Sequence, residues 1–329
     1  MKDNRIALWD NLRFFLVVLV VIGHFAENTV SSHLVRTVFL FIYSFHMPAF
    51  IFISGLFHKN KNIAQKVCAN LALYVLLKAF IFSERALLGA KPAFHLFTEK
   101  GIPWFMLSIA IYQLSAYLLR DVDRRFLLLL SIVTACYAGY DSAIGDTFVL
   151  SRTLVYFPFY LAGTGLKRED LTALRTKKNM RLLAAGIVLV WGLVCLLFID
   201  RVYWMRPLFT GRNPFGAELS FGGAWRLVCY AVSAALVFSC VMLAPERKYF
   251  FTVFGKRTLQ VYFWHRLVIY WLASFQFPAR FNTLPRQLVW LSLGAALAVL
   301  LSLKPFGFLT DAVIRWSGKS GEKPASDAE

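Results

Sequence analysis

The chain has 329 residues, of which 58% are hydrophobic and only 16% are charged, and its mean hydropathy is +0.59. A soluble domain carries about a quarter charged residues, so this composition excludes a soluble globular protein. The net charge of +18 resembles that of a nucleic-acid-binding protein, but the basic residues lie in short segments between apolar runs. A nucleic-acid partner is therefore not expected.

Apolar runs recur along the whole chain, and about 20 apolar residues in a helix span the hydrocarbon core of a bilayer. The runs lack the alternation of barrel strands, so helices are expected. In chain order, the predicted spans are 8–26, 37–57, 67–83, 104–119, 126–140, 148–166, 182–199, 225–243, 258–275 and 287–303. The predicted fold is an all-α integral membrane protein, a bundle of about ten transmembrane helices.

The domain organisation is predicted to be simple. Residues 1–317 form one membrane domain, and the polar residues 318–329 form a C-terminal tail that is expected to be disordered. The first span is interpreted as a retained helix rather than a signal peptide, because charged residues interrupt its start and no small-x-small cleavage pattern follows it. The five cysteines lack CxxC spacing, and no metal site is predicted.

The distribution of basic residues predicts the orientation in the membrane. With the N-terminus in the cytoplasm, the inner segments hold more than twice as many Lys and Arg residues as the outer segments. This positive-inside bias predicts a multi-pass protein of the cell membrane whose N- and C-termini are both cytoplasmic.

The first span carries three polar residues on one face. At 100° per residue, Asp10, Arg13 and His24 lie within one sector of the helical wheel. Arg13 and His24 are about 16 Å apart along the helix axis. A solvated interfacial pair explains Asp10 and Arg13 equally well, and a helix-packing hydrogen bond explains His24. Their shared face favours a functional polar channel, because ionisable groups inside a membrane are costly.

The second span combines a histidine with a proline. Pro48 has no N–H to donate to the carbonyl of Ser44 and should kink the helix next to His46. The kink either opens space for a ligand or is a packing feature in which His46 satisfies a freed carbonyl. Of the acidic residues, only Asp10 falls within a predicted span, which disfavours a proton-coupled transporter.

Several short motifs occur in a fixed order along the chain. They are Trp9-Asp10-Asn11-Leu12-Arg13 with Val21-Ile22-Gly23-His24, Phe45-His46-Met47-Pro48 with Ile53-Ser54-Gly55, Trp104-Phe105, Tyr156-Phe157-Pro158-Phe159 with Gly163, and Gly255-Lys256 with Thr258-Leu259, Tyr262 and His265. In this order they resemble the acyltransferase 3 family of membrane acyltransferases, and especially its fucose 4-O-acetylase-like branch.

The resemblance implies transfer of an acyl group, usually acetyl, from cytoplasmic acetyl-CoA to a hydroxyl of a sugar or similar acceptor. The family's first-span histidine and basic residue correspond to His24 and Arg13. Some members carry an arginine pair after the second span, where this chain has Lys59 and Lys61. Many relatives also carry an SGNH-type domain, which this sequence lacks. The expected partners are acyl-CoA, a carbohydrate or lipid-linked glycan acceptor, and membrane lipids, with no permanently bound cofactor.

The residues suit this chemistry. A neutral histidine can take the proton from a hydroxyl nucleophile, so His24 and His46 are the predicted catalytic residues. Arg13, Lys59 and Lys61 are predicted to bind CoA phosphates. Asp10, Tyr262 and His265 are predicted to support the site, and His265 to be mainly structural. Direct transfer is favoured over an acyl-enzyme, although an acyl-histidine stays open. A glycan transporter or flippase and a non-enzymatic scaffold are the alternative functions.

Overall fold

The computed structural model describes residues 7–216 and 219–319. Apart from one isolated bridge between Thr98 and Thr147, these residues form helices and loops without β-structure. The α-helices are α1 (Ala7–Glu27), α2 (His33–Tyr43), α3 (His46–Leu56), α4 (Ile63–Leu87), α5 (Trp104–Leu118), α6 (Arg124–Tyr137), α7 (Leu150–Gly165), α8 (Arg168–Arg175), α9 (Lys178–Leu197), α10 (Ile199–Val202), α11 (Arg206–Phe209), α12 (Gly222–Leu243), α13 (Thr258–Ser274), α14 (Leu284–Leu301) and α15 (Phe308–Lys319).

The prediction of an all-helical membrane protein is supported, but the number of spans is not confirmed. Every predicted span falls on a helix. Six segments of the described chain are long and apolar enough to cross a membrane, namely Ala7–Glu27, His33–Leu56, Ile63–Leu87, Lys178–Leu197, Gly222–Leu243 and Leu284–Leu301. The helices α5, α6, α7 and α13 have 14 to 17 residues. At 1.5 Å per residue, such helices are shorter than a hydrocarbon core of about 30 Å.

The outward faces of the long helices are apolar, as contact with lipid requires. Leu182, Leu189 and Val190 of α9 are each more than 60% exposed. In contrast to the exposed α9, helix α1 lies at the centre of the bundle, where it packs against α2, α3, α13 and α14. The polar side chains Asp10 and His24 of α1 are therefore held inside the bundle, away from lipid.

The predicted kink in the second span is a break between two helices. α2 ends at Tyr43, and α3 begins at His46, so Pro48 lies in the first turn of α3, where a missing N–H is tolerated. The Ser233 hydroxyl donates to the freed carbonyl of Ser44 at 2.5 Å, and His46 Nδ1 donates to the carbonyl of Ile42 at 2.8 Å. Satisfying these carbonyls allows the break to exist inside an apolar bundle.

Three glycines of the sequence motifs allow helices to approach backbone to backbone. A Cβ on Gly55 would collide with the carbonyl of Tyr160, and a Cβ on Gly163 would collide with the carbonyl of Phe52. α3 and α7 thus cross at their backbones, as small residues permit in membrane proteins. Gly255 approaches the backbone of α1 at Asp10 in the same way.

The C-terminal part differs from the predicted tail at its start. α15 extends to Lys319, so residues 318 and 319 are helical rather than part of an irregular tail. The rest of the predicted tail, 320–329, lies outside the described residues. The sequence analysis did not predict α15, because its 12 residues are fewer than a membrane span needs. In the structure this helix packs against α4.

Candidate active site

A cavity of about 470 Å³ opens at the end of the bundle where α1 ends and α5 begins, and we call it the His24 cavity. Its polar wall includes the following side chains of α1, α2, α3 and α13: His24, Glu27, Tyr43, His46, Tyr262 and Arg266. The segments preceding α5 and around α11 complete its rim. The two residues predicted as catalytic, His24 and His46, therefore line the same cavity.

Glu27, the last residue of α1, connects the polar side chains around His24. Residues three apart on a helix share a face, and His24 Nδ1 lies 3.1 Å from Glu27 Oε2. The same oxygen lies 3.4 Å from the Tyr43 hydroxyl and 3.4 Å from Arg266 Nη1. The other carboxylate oxygen, Oε1, lies 3.6 Å from Arg206. Glu27 is thus the hub of a network that joins four helices.

The contacts of His24 Nδ1 indicate which ring nitrogen carries the proton. The Tyr43 hydroxyl and Arg266 Nη1 also lie 3.0 Å and 3.2 Å from Nδ1. Because the ionised Glu27 only accepts, we assign Nδ1–H as the donor to Glu27, with Tyr43 and Arg266 donating to the same carboxylate. In this tautomer the Nε2 atom of His24 has a free lone pair, as a general base requires.

His46 and Tyr262 reach the cavity from other helices. Because Nδ1 of His46 donates to the Ile42 carbonyl, its Nε2 carries the lone pair. The ring of His46 packs edge-on against Tyr43, with centroids 4.7 Å apart. The Tyr262 hydroxyl donates to the carbonyl of Ile102 and so ties α13 to the segment before α5. Both alternatives considered for His46 are compatible with this geometry, since it satisfies a carbonyl and also lines the cavity.

His265 lies behind His24 and does not line the cavity. Its ring centroid is 5.3 Å from that of His24, and the side chain is fully buried. Its Nδ1 donates to the carbonyl of Val261 at 2.9 Å, while its Nε2 has no hydrogen-bond partner in the described part of the chain. A position behind His24 is compatible with the supporting role predicted from the sequence.

The residues predicted to bind CoA lie at the other end of α1, outside the His24 cavity. Arg13 Nη1 is 3.8 Å from Asp10 Oδ1, and Asp10 is only 2% exposed, so the pair is not the solvated pair considered from the sequence. Lys59 and Lys61 are exposed after α3. Apolar residues 14–21 separate the two polar ends of α1, so the predicted shared face does not form a continuous polar channel in the described structure.

Comparison with known proteins supports the resemblance found in the sequence. The family model of acyltransferase 3, described as an acyltransferase domain, matches residues 6–303. The chain belongs to the acyltransferase 3 family. This membership gives the chain an acyltransferase domain, which favours an acyltransferase over a transporter, a flippase or a non-enzymatic scaffold.

The chain is also similar to the nodulation protein NolL of Sinorhizobium fredii (strain NBRC 101917 / NGR234). The two proteins are 24% identical over 237 residues, which is 64% of this chain and 61% of NolL. The match thus spans about three fifths of the relative's length. No solved structure matches this chain.

Sequence reasoning missed Glu27, the residue that orients His24. The prediction that Asp10 is the only acidic residue within a span is wrong, because α1 extends to Glu27 and α4 contains Glu84. The spacing of three residues between His24 and Glu27 was the available signal. The partners Tyr43 and Arg266 carried no comparable signal, since only the fold brings α2 and α13 to this end of α1.

Proposed function

We propose that this protein is a membrane O-acyltransferase that moves an acetyl group from cytoplasmic acetyl-CoA to a hydroxyl of a sugar or cell-surface glycan. The observation that carries the proposal is the pairing of His24 with Glu27 on the wall of the His24 cavity. A carboxylate that holds Nδ1–H of a histidine leaves Nε2 as the base, and an acyl transfer to a hydroxyl needs such a base.

The proposed reaction is a direct transfer of the acetyl group from the CoA thioester to the acceptor hydroxyl. His24 Nε2 takes the proton of the acceptor hydroxyl as the hydroxyl oxygen bonds to the thioester carbonyl carbon. The carbon–sulfur bond then breaks, and the proton passes from His24 to the departing CoA thiolate. The products are the acetyl ester and CoA thiol, and Glu27 stabilises the imidazolium that forms between the two steps. His46 is proposed to orient the acceptor from α3.

The donor is proposed to enter from the end of the bundle that holds Arg13. The guanidinium of Arg13 lies 4.4 Å from the centroid of the Phe57 ring, and Arg168 lies 5.1 Å from the same centroid. These two cations and the exposed Lys59 and Lys61 suit the phosphates of CoA. The pantetheine arm is then required to extend along the apolar part of α1, about 16 Å, to bring the thioester to His24.

The proposal is tested with His24→Ala. General-base catalysis contributes about 10²–10⁴-fold, so turnover should fall by that factor while insertion and acetyl-CoA binding are retained. Acetyl transfer in detergent should also rise with pH in the wild type, and this dependence should disappear in the variant. O-acetylation of surface glycans, measured by mass spectrometry with and without the protein, identifies the acceptor class. A variant that retains more than about a tenth of wild-type turnover excludes His24 as the base.

A further inference from the structure

The wall of the His24 cavity carries more positive charge than its own carboxylates balance. Among the described residues that line it, seven are Lys or Arg and two are Glu. Glu27 pairs with Arg206 and Arg266, and Glu99 pairs with Lys78 at 2.7 Å. Four cavity cations have no carboxylate within ion-pair distance in residues 7–216 and 219–319, namely Arg85, Lys100, Arg152 and Arg212.

Arg152 is the most informative of these four cations because it is buried. The residue is only 6% exposed, and its guanidinium lies 5.4 Å from the centroid of the Trp104 ring. Its described hydrogen bonds go to neutral carbonyl oxygens, with Nη2 3.1 Å from that of Lys100 and Nη1 3.5 Å from that of Gly101. A buried charge normally has a counter-ion. Asp146 and Glu99 are near enough for their negative charges to act on Arg152, but within the described residues neither lies at ion-pair distance from it.

Arg212 adds a second positive charge on the same side of the cavity. It is exposed at the rim, and it lies close enough for its charge to act on Arg152. Arg152 is in turn close enough for its charge to act on His24. Two guanidinium groups of like charge repel each other, so an anion bound between them would stabilise this arrangement. The anion would then lie in the same cavity as His24.

We propose that Arg152 and Arg212 form an anion subsite that binds a phosphate or diphosphate group of the acceptor. The inference rests on the proposed function, because only an acceptor needs its hydroxyl at His24. The surplus of positive charge on the wall suits a multiply charged diphosphate better than a single carboxylate. The subsite lies at the opposite end of the bundle from Arg13, so the geometry assigns it to the acceptor rather than to CoA.

The subsite is tested by binding, without turnover, on the purified full-length protein. Inorganic pyrophosphate is titrated against wild type, Arg152→Gln, Arg212→Gln and Arg201→Gln, and binding is followed by the shift in melting temperature. Arg201 is an exposed arginine outside the cavity and serves as the matched control. Loss of a charge-assisted contact should weaken pyrophosphate about tenfold or more in both cavity variants and leave it unchanged in Arg201→Gln.

A parallel titration with CoA identifies the source of the phosphate. CoA affinity should be unchanged in Arg212→Gln, and a parallel loss of CoA and pyrophosphate affinity would instead assign the subsite to the donor. Unchanged pyrophosphate affinity in the cavity variants overturns the proposal. If Arg152→Gln does not fold, the exposed Arg212 decides the outcome alone. The pyrophosphate titration measures binding without catalysis. If His24→Ala retained activity, the proposed base would be refuted, but the result of the pyrophosphate titration would still stand.

Discussion

Glu27→Gln changes the charge next to the proposed base, His24, and leaves His24 itself in place. The substitution keeps the size of the side chain, and an amide oxygen can still accept the hydrogen bond from Nδ1 of His24. It removes the negative charge that lies 3.1 Å from the imidazole. It also leaves Arg206 and Arg266 without their shared carboxylate, so their positive charges then act on His24 uncompensated. The imidazolium that forms during proton transfer should therefore be destabilised.

The expected loss follows from the energy of a charged hydrogen bond. Such a bond contributes about 1.5–3 kcal/mol, which corresponds to roughly a 10- to 150-fold decrease in turnover. Two unit charges at 3.1 Å interact with roughly 5 kcal/mol at an effective dielectric constant of about 20, and this value is an upper bound because desolvation opposes it. The loss should appear in kcat, whereas the KM for acetyl-CoA should change little, since the donor phosphates are proposed to bind at the other end of α1.

The assay combines CoA release in detergent with glycan O-acetylation in cells. Purified wild type, Glu27→Gln and Glu84→Gln are compared at equal amounts of folded protein, judged by size-exclusion chromatography and melting temperature. Glu84 is a matched control, because it is another helical carboxylate and does not line the His24 cavity. Glu84→Gln is expected to retain wild-type kcat.

The reasoning is refuted if Glu27→Gln retains wild-type kcat while His24→Ala is inactive. That result would show that the carboxylate does not stabilise the imidazolium. An equal loss of kcat in Glu27→Gln and Glu84→Gln would instead indicate a general effect of removing a helical carboxylate. A loss confined to the KM of the acceptor would assign Glu27 to acceptor binding.

Three further predictions concern the rest of the protein. Arg13→Ala should weaken acetyl-CoA binding about 10- to 150-fold in calorimetry, and Arg13→Lys should restore it only in part; unchanged affinity would contradict the CoA role. Gly163→Ala should lower the free energy of unfolding by about 1–3 kcal/mol, because its Cβ meets the backbone of α3, whereas Gly165→Ala has open space and should not; equal melting temperatures would contradict this. Cysteines introduced in 139–147 should react with an impermeant reagent added outside, and those in 167–181 should not; the reverse pattern would invert the proposed orientation.

The helical pattern of the sequence predicted only part of the candidate site. His24 and His46 were found from the sequence because an ionisable side chain inside an apolar run is costly and therefore conspicuous. The expectation of a polar channel along α1 failed, because a helical wheel describes angle and omits the apolar turns between Arg13 and His24. The roles of His24 and His46 in catalysis and of Arg13 in CoA binding stay predictions.

The sequence by itself determined the class of the protein. The apolar runs require helices, because an unpaired backbone is not tolerated in lipid, and the ordered motifs indicated the family that the comparison then showed. Only the tertiary structure decided which groups surround His24. Tyr43, Arg206 and Arg266 are distant from it in the chain, and their meeting at Glu27 depends on how α2, α11 and α13 pack around the end of α1. Local periodicity specifies one helix face, whereas the charge balance of a site is a sum over all the helices that enclose it.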